Sequence, residues 1–127
     1  MEATAKPVPK PLVWVADSLE TVRSFPAEVK DEVGVALLHA QFGGKHEKAK
    51  PLRNFGSGVL EVVSDHRGDT FRAVYTVRLA GRVYVLHAFQ KKSKSGIATP
   101  KAEIDLMKQR LKRAIELHTI WEKQQHG

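Results

Sequence analysis

Residues 70–91, TFRAVYTVRLAGRVYVLHAFQK, decide the fold. Strand-forming residues fill both sides of Ala80-Gly81, and two residues is the commonest hairpin length. In the first half Phe71, Ala73, Tyr75, Val77 and Leu79 alternate with Arg72, Val74, Thr76 and Arg78. Side chains of a strand alternate between its two faces, so the aromatic set shares one face and both arginines the other. The reading gives strands over Thr70–Leu79 and Arg82–Lys91, preceded by a third over Val59–Ser64, in an antiparallel meander.

Upstream, Pro11–Ala16 (PLVWVA) is a short apolar run rich in strand formers. Asp17 with Glu20 matches a capping box and predicts a helix from Ser18 to about Phe25. Pro26 suits the first turn of a second helix, because its missing N–H has no helical partner there. Val29, Val33, Leu37 and Ala40 form the apolar stripe of that helix, and Gly43-Gly44 ends it. Residues 45–58 (KHEKAKPLRNFGSG) read as a basic loop. Downstream, Thr99-Pro100 is a helix start signal. Ile104, Met107, Leu111, Ile115 and His118 then give a helical stripe continuing to Trp121. The order is β-α-α-β-β-β-α, which predicts an α+β fold: an antiparallel sheet with helices packed on one of its faces. Residues 1–10 read as a flexible, proline-punctuated arm, and 11–127 as a single domain.

The charge is unevenly distributed. The formal net charge is +7, yet residues 70–102 hold seven Lys/Arg and no acid, while 1–69 hold nine against ten. A localised basic zone is the footprint expected of a polyanion-binding surface; a solubilising excess without a partner is the alternative. The absence of cysteine rules out disulfides and thiolate metal sites and suits a reducing cytoplasm. No apolar run is long enough for a membrane span, and the stretch Met1–Pro11 lacks the apolar core of a secretory signal. The six histidines form no i,i+4 pair. P-loop, GxGxxG and GxSxG strings are missing, and Glu61, Asp65 and Asp69 look like solvated hairpin residues. No metal and no cofactor is expected.

What remains is a basic sheet-and-loop surface. Arg72 sits inside a strand, where arginine suits only a face open to water or ligand. His87 lies on the same face as Lys91, two pleats away, with Tyr84 on the opposite parity. Lys91, Lys92 and Lys94 follow the last strand, and Lys50, Arg53 and Arg67 approach from neighbouring loops. Arginine offers phosphate a bidentate fork, lysine a mobile point charge, and histidine a group titrating near neutrality. Cleavage of RNA by its own 2′-hydroxyl needs alignment, a proton acceptor and positive charge on the developing phosphorane. The same residues would also serve simple nucleic-acid binding. Each has a plainer reading: Arg72 as a salt-bridge partner of Glu61, His87 as a satisfied core histidine, the lysines as a solvated turn. Trp14, Tyr75 and Trp121 suit a core better than a stacking platform.

The strings KAKPLRNFGSGVLEV, GDTFRAVYTV and VYVLHAFQKKSKSGIATPKAEIDLMKQRL resemble, in order, the HigB-like, phage-derived toxins of the RelE/ParE superfamily. The likeness spans about Trp14 to Lys112, and HAFQKKSKS…TPKAEI is its most specific part. The resemblance implies a RelE-type fold and cleavage of mRNA on the translating ribosome, without metal or cofactor. It also implies a cytoplasmic setting and a helix-turn-helix antitoxin as neutralising partner. Arg72 matches the family's strand arginine, and Lys91 and Lys92 fall where the family places further basic residues. These three, with His87 as proton acceptor by chemistry more than by motif, form the expected catalytic set. Lys50, Arg53, Arg67 and Lys94 form the expected RNA-binding set. Two departures stand out. The strand VLEVVS carries Glu61 where some RelE members have lysines, and the tail RAIELHTIWEKQQHG exceeds the match, with Leu117 and Ile120 available to a core or to a partner. The superfamily scaffold also serves ParE-like gyrase inhibitors that do no chemistry, and Glu61 raises a third possibility, an inactive toxin that only binds its antitoxin.

Overall fold

The computed structural model describes residues 7–91 and 99–126. In chain order the elements are β1 (Leu12–Trp14), α1 (Ser18–Arg23), α2 (Ala27–Gln41), β2 (Ala49–Pro51), β3 (Val59–His66), β4 (Asp69–Thr76), β5 (Val83–Lys91) and α3 (Lys101–His126). The strands form one sheet in the order β1-β5-β4-β3-β2. The α+β class and the element order agree with the sequence, with two additions. β1 runs parallel to β5, so the sheet is mixed rather than purely antiparallel. Within the expected basic loop, β2 pairs antiparallel with β3, a short edge strand of the kind that tolerates its terminal Pro51.

The helices do not share one face. On one side, Val22, Phe25, Val29, Val33 and Leu37 of α1, α2 and their connection pack on Leu60, Val62, Phe71, Ala73, Tyr75, Val83 and Val85. On the other, Met107 and Ala114 of α3 pack with Phe55, Val59, Val74, Tyr84, Leu86 and Phe89. The sign of this was the continuous apolar run VYVLHAF: every residue from Val83 to Phe89 is buried, as expected for a strand covered on both faces.

The α2 stripe is buried as its periodicity requires. The expected α3 stripe holds at Met107 and His118, which are buried, and at Ile104 and Leu111, which are partly buried, whereas Ala114 takes the place of Ile115, which is 39% exposed. Asp17 forms no side-chain cap on α1; its carboxylate pairs instead with Arg110 at 2.8 Å, which is why the capping box does not form. β4 stops at Thr76, short of Leu79. There the backbone turns to the 52–58 loop, with Val77 N–H donating to the Gly58 carbonyl at 2.9 Å. The β4–β5 connection is therefore six residues, 77–82, and not the pair Ala80-Gly81. The tight hairpin lies one strand earlier, at Arg67 (φ 50°) and Gly68 (φ 87°) between paired His66 and Asp69. Two successive residues of positive φ make the turn whose twist matches that of the strands.

Residues 1–6 of the expected arm lie outside the described residues. Lys10 is tied to the end of α2: its N–H donates to the Gln41 carbonyl and its carbonyl accepts from Gln41 Nε2, both at 2.8 Å. Tyr75 is core, its phenol pushed up to about 12 by burial. Trp121 packs under the Arg82 guanidinium, 4.4 Å from its ring centre. No helix among the described residues is long and apolar enough to cross a membrane.

Candidate phosphate-binding site

The site begins with an irregularity in β5. Val74 stands opposite His87 and Tyr75 opposite Val85, so Leu86 is one residue too many. Such a bulge shifts the alternation by one. Tyr84, Leu86 and His87 consequently all turn toward α3, which corrects the opposite parity expected for Tyr84 and His87. Tyr84 Oη meets His118 Nδ1 at 2.9 Å.

His87 is fully engaged. Its Nε2 lies 2.7 Å from Glu103 Oε1 and its Nδ1 2.6 Å from Arg110 Nη1, and the ring stacks on Phe89. Arg110 has no lone pair to offer, so it donates and Nδ1 accepts; the ring proton then sits on Nε2 and is donated to Glu103. Arg110 also reaches Asp17. The chain Glu103–His87–Arg110–Asp17 joins α3 to β5 and to the start of α1. With the ring 5% exposed and its lone pair occupied by a cation, His87 has no site left for a substrate proton. These contacts favour the plainer reading of His87, a satisfied core histidine, over its expected role as proton acceptor. Glu103 and Arg110 were missed in the sequence, although with Met107 they occupy one helical face at i, i+4 and i+7.

Arg72 projects from β4 on the α3 side of the sheet, and its Nη1 donates to Glu61 Oε1 at 2.9 Å. Both side chains are largely buried, 19% and 15% exposed. Arg72 Nε is buried and finds no acceptor among the described residues. A buried N–H without a partner costs about 1–3 kcal/mol, so this guanidinium retains unused donor capacity at some expense to the fold. Lys91 ends β5 opposite Thr70, two pairs beyond Arg72–Phe89. It therefore stands diagonal to Arg72 on the same face, about 7–8 Å away on the backbone. It is buried and forms no ion pair among the described residues. Lys50 in β2 is exposed and faces Glu61 across the ladder. Arg72, Lys91, Lys50 and Glu61 thus share one face of three neighbouring strands and the edge strand beside them.

The other expected residues disperse. Arg67 occupies the tip of the β3–β4 hairpin, beyond Lys91 on the same end of the sheet. Arg53 is exposed on the loop after β2. Lys92 and Lys94 lie outside the described residues. The basic zone of residues 70–102 is partly spent on structure: Arg78 donates to the Phe55 carbonyl at 3.0 Å, Arg82 covers Trp121, and Lys101 pairs with Asp105. No group of three acidic, histidine or cysteine residues that could hold a metal occurs among the described residues.

No curated protein sequence matches the chain. Among solved structures it is similar to a mutant of the Escherichia coli toxin RelE in the free state, with a TM-score of 0.54 at 17% identity over 84% of this chain and 98% of that one. A second similar structure is the toxin–antitoxin complex RelBE2 from Mycobacterium tuberculosis, with a TM-score of 0.45 at 18% identity over 68% of this chain and 95% of that one. At such identities the RelE likeness speaks for the fold. The family model "Phage derived protein Gp49-like (DUF891)" matches residues 20–112, from α1 through the Arg72 and Lys91 strands to the middle of α3. The chain belongs to the phage-derived Gp49-like family, and it is built on the fold of RelE.

Proposed function

We propose that this protein is the toxin of a toxin–antitoxin pair and cleaves mRNA on the translating ribosome without a metal. The observation that carries the proposal is the Arg72–Lys91 pair on one sheet face, with Arg72 oriented by Glu61 and its Nε lacking an acceptor. In this reading the 2′-hydroxyl of the substrate attacks the adjacent phosphorus and the 5′-oxygen of the next nucleotide leaves. A cyclic phosphate and a free 5′-hydroxyl result, the leaving oxygen taking its proton from water. Arg72 and Lys91 stabilise the charge that develops on the phosphorane oxygens. With His87 engaged, Glu61 is the carboxylate beside Arg72 that can take the hydroxyl proton. Lys92 follows Lys91 in the chain and belongs to the same set, with Lys50, Arg53, Arg67 and Lys94 contributing phosphate contacts along the RNA. The neutralising partner is a helix-turn-helix antitoxin, and the setting is the cytoplasm, as the family resemblance implies.

The Arg72–Glu61 pair itself favours a second reading, a toxin that binds its antitoxin but has lost its chemistry because a carboxylate neutralises the arginine. Primer extension on a reporter mRNA in a reconstituted translation system separates the two. Wild-type protein should cut within the reading frame only when ribosomes are present. Arg72→Ala should cost about 2.7–4 kcal/mol in the chemical step, the scale of losing one preorganised donor. Glu61→Gln should lower the cleavage rate if the carboxylate takes the proton. Intact mRNA with folded wild-type protein, or restored cleavage in Glu61→Gln alone, would establish the inactive toxin instead.

A further inference from the structure

Beside the Arg72 face lies a cavity that this reading does not use. It opens between the loop after β2 and the N-terminal turns of α3 and measures about 690 Å³, within the usual range for small-molecule sites. Leu52, Phe55, Ile104 and Met107 give it an apolar interior; Arg53 and Lys108 stand at its rim, and Asn54 completes the loop side. An apolar, partly aromatic slot between cations is the chemistry of a base held by its faces with phosphates on either side.

The loop is built to keep its shape. Asn54 has φ 69°, a left-handed conformation uncommon outside glycine. Gly56 and Gly58 also have positive φ, and a Cβ on Gly58 would stand 2.6 Å from Arg78 Cβ. Arg78 Nη1 donates to the Phe55 carbonyl and Thr76 Oγ1 to the Gly58 carbonyl at 2.8 Å. The Phe55 and Gly58 carbonyls are therefore held by Arg78 and Thr76, at and just past the end of β4, while Arg53 and Asn54 remain exposed. Strained backbone held this firmly beside a cavity is a mark of preorganisation. Leu52 follows Lys50 by two residues, and Lys50 pairs with Glu61. By strand spacing and rise, the mouth of the cavity is within about 10 Å of Glu61 on the backbone.

We infer that this cavity is a nucleobase subsite, taking the base of a nucleotide next to the phosphate held at Arg72. Phe55 and Met107 meet the faces of the base, the Asn54 amide offers a donor and an acceptor to its edge, and Arg53 and Lys108 take the flanking phosphates. The inference rests on the RNA reading above, but binding in the cavity does not require cleavage.

The test is a methyl and side-chain amide NMR titration of the full chain. The probes are the four nucleoside 5′-monophosphates, each carried to millimolar concentration, with ribose 5-phosphate and inorganic phosphate as base-free controls. Nucleotides should shift the Ile104 and Met107 methyls and the Asn54 amide, and the base-free probes should not. Asn54→Gly suits the positive φ, so its melting temperature should match or exceed that of wild type. Its nucleotide affinity should fall roughly tenfold, the scale of one neutral hydrogen bond. Unmoved methyls, as expected of a cavity that takes an apolar side chain of a protein partner, overturn the inference, and so do shifts that inorganic phosphate reproduces. If nucleotides bind as described while wild type cleaves no mRNA, the subsite stands and the nuclease reading falls.

Discussion

Arg110 is predicted to act on stability and hardly at all on chemistry. Consider Arg110→Met, which keeps most of the apolar stem and removes the guanidinium. The variant strips His87 Nδ1 of its donor in a ring that is 5% exposed, leaving a buried acceptor unsatisfied; that costs about 1–3 kcal/mol. Loss of the Asp17 pair adds little, since Asp17 is 59% exposed and such pairs contribute about 0–1 kcal/mol before screening. The 3.4 Å contact to the Leu86 carbonyl is too long to count for much. The sum is about 2–3 kcal/mol, or a fall in Tm of roughly 8–12 °C for a domain of this size. Urea unfolding followed by the fluorescence of Trp14 and Trp121 measures it, with an unchanged m-value showing that the unfolded state is the same. Cleavage per folded molecule should stay near wild type. A stability loss under about 0.5 kcal/mol would show that His87 does not depend on Arg110. A loss of cleavage beyond roughly tenfold in a folded variant would return the His87–Arg110 pair to the chemistry.

The Glu32–Lys48 pair, 2.7 Å apart, should give stability an acid limb. The Lys48 side chain, then the Ser64 hydroxyl, hold the Glu32 carboxyl below its ordinary value of 4.5. A depressed carboxylate contributes stability above its unfolded pKa and loses it as pH falls through the folded value, so Lys48→Met should flatten the pH profile of unfolding below about pH 5. An unchanged profile would mean that the pair is immaterial. In the tail, Leu117 packs against the α3-side core, so Leu117→Glu should destabilise by at least about 2 kcal/mol. Ile120 is 51% exposed, and Ile120→Glu should change stability by no more than about 0.5 kcal/mol; thermal melts of the two variants compare them directly.

The sequence carried the element order because periodicity is a local signal. The stripe Val29, Val33, Leu37 and Ala40 and the alternation Phe71, Ala73, Tyr75 are both buried where their periods put them. Long-range choices were less legible. The parallel pairing of β1 with β5 joins residues about 70 apart, such as Leu12 and Val83, and nothing local specifies it. The long β4–β5 connection was obscured because Ala80-Gly81 resembles a hairpin turn. Gly81 does take φ 89°, but there a Cβ would approach the Trp121 ring at 3.1 Å, so this glycine serves the close passage of α3. The placement of α3 on the second sheet face was legible in principle, from the unbroken apolar run of β5.

Within the candidate site, one extra residue accounts for most of the difference between sequence and structure. Strict alternation put His87 with Lys91 on an open basic face. The bulge at Leu86 keeps that parity but turns the neighbouring Leu86 and Tyr84 the same way, which gives α3 an apolar seat and brings Glu103 and Arg110 onto the imidazole. The histidine is consumed in docking the helix. Arg72 escapes the same fate because it lies farther along β4, where its partner is Glu61 of the adjacent strand rather than a residue of α3. A carboxylate on a neighbouring strand fixes the guanidinium and leaves the side chain 19% exposed. Its fork keeps donors beyond the one given to Glu61, and the desolvation of the pair is met when the chain folds rather than when a phosphate arrives. A few residues on the α3 side of the sheet would suffice for the proposed phosphate site, and the count of basic residues in the sequence overstates it: Arg78 and Arg82 hold a loop and a helix, while Arg72 and Lys91 are the cations of residues 70–91 that the proposal assigns to the substrate.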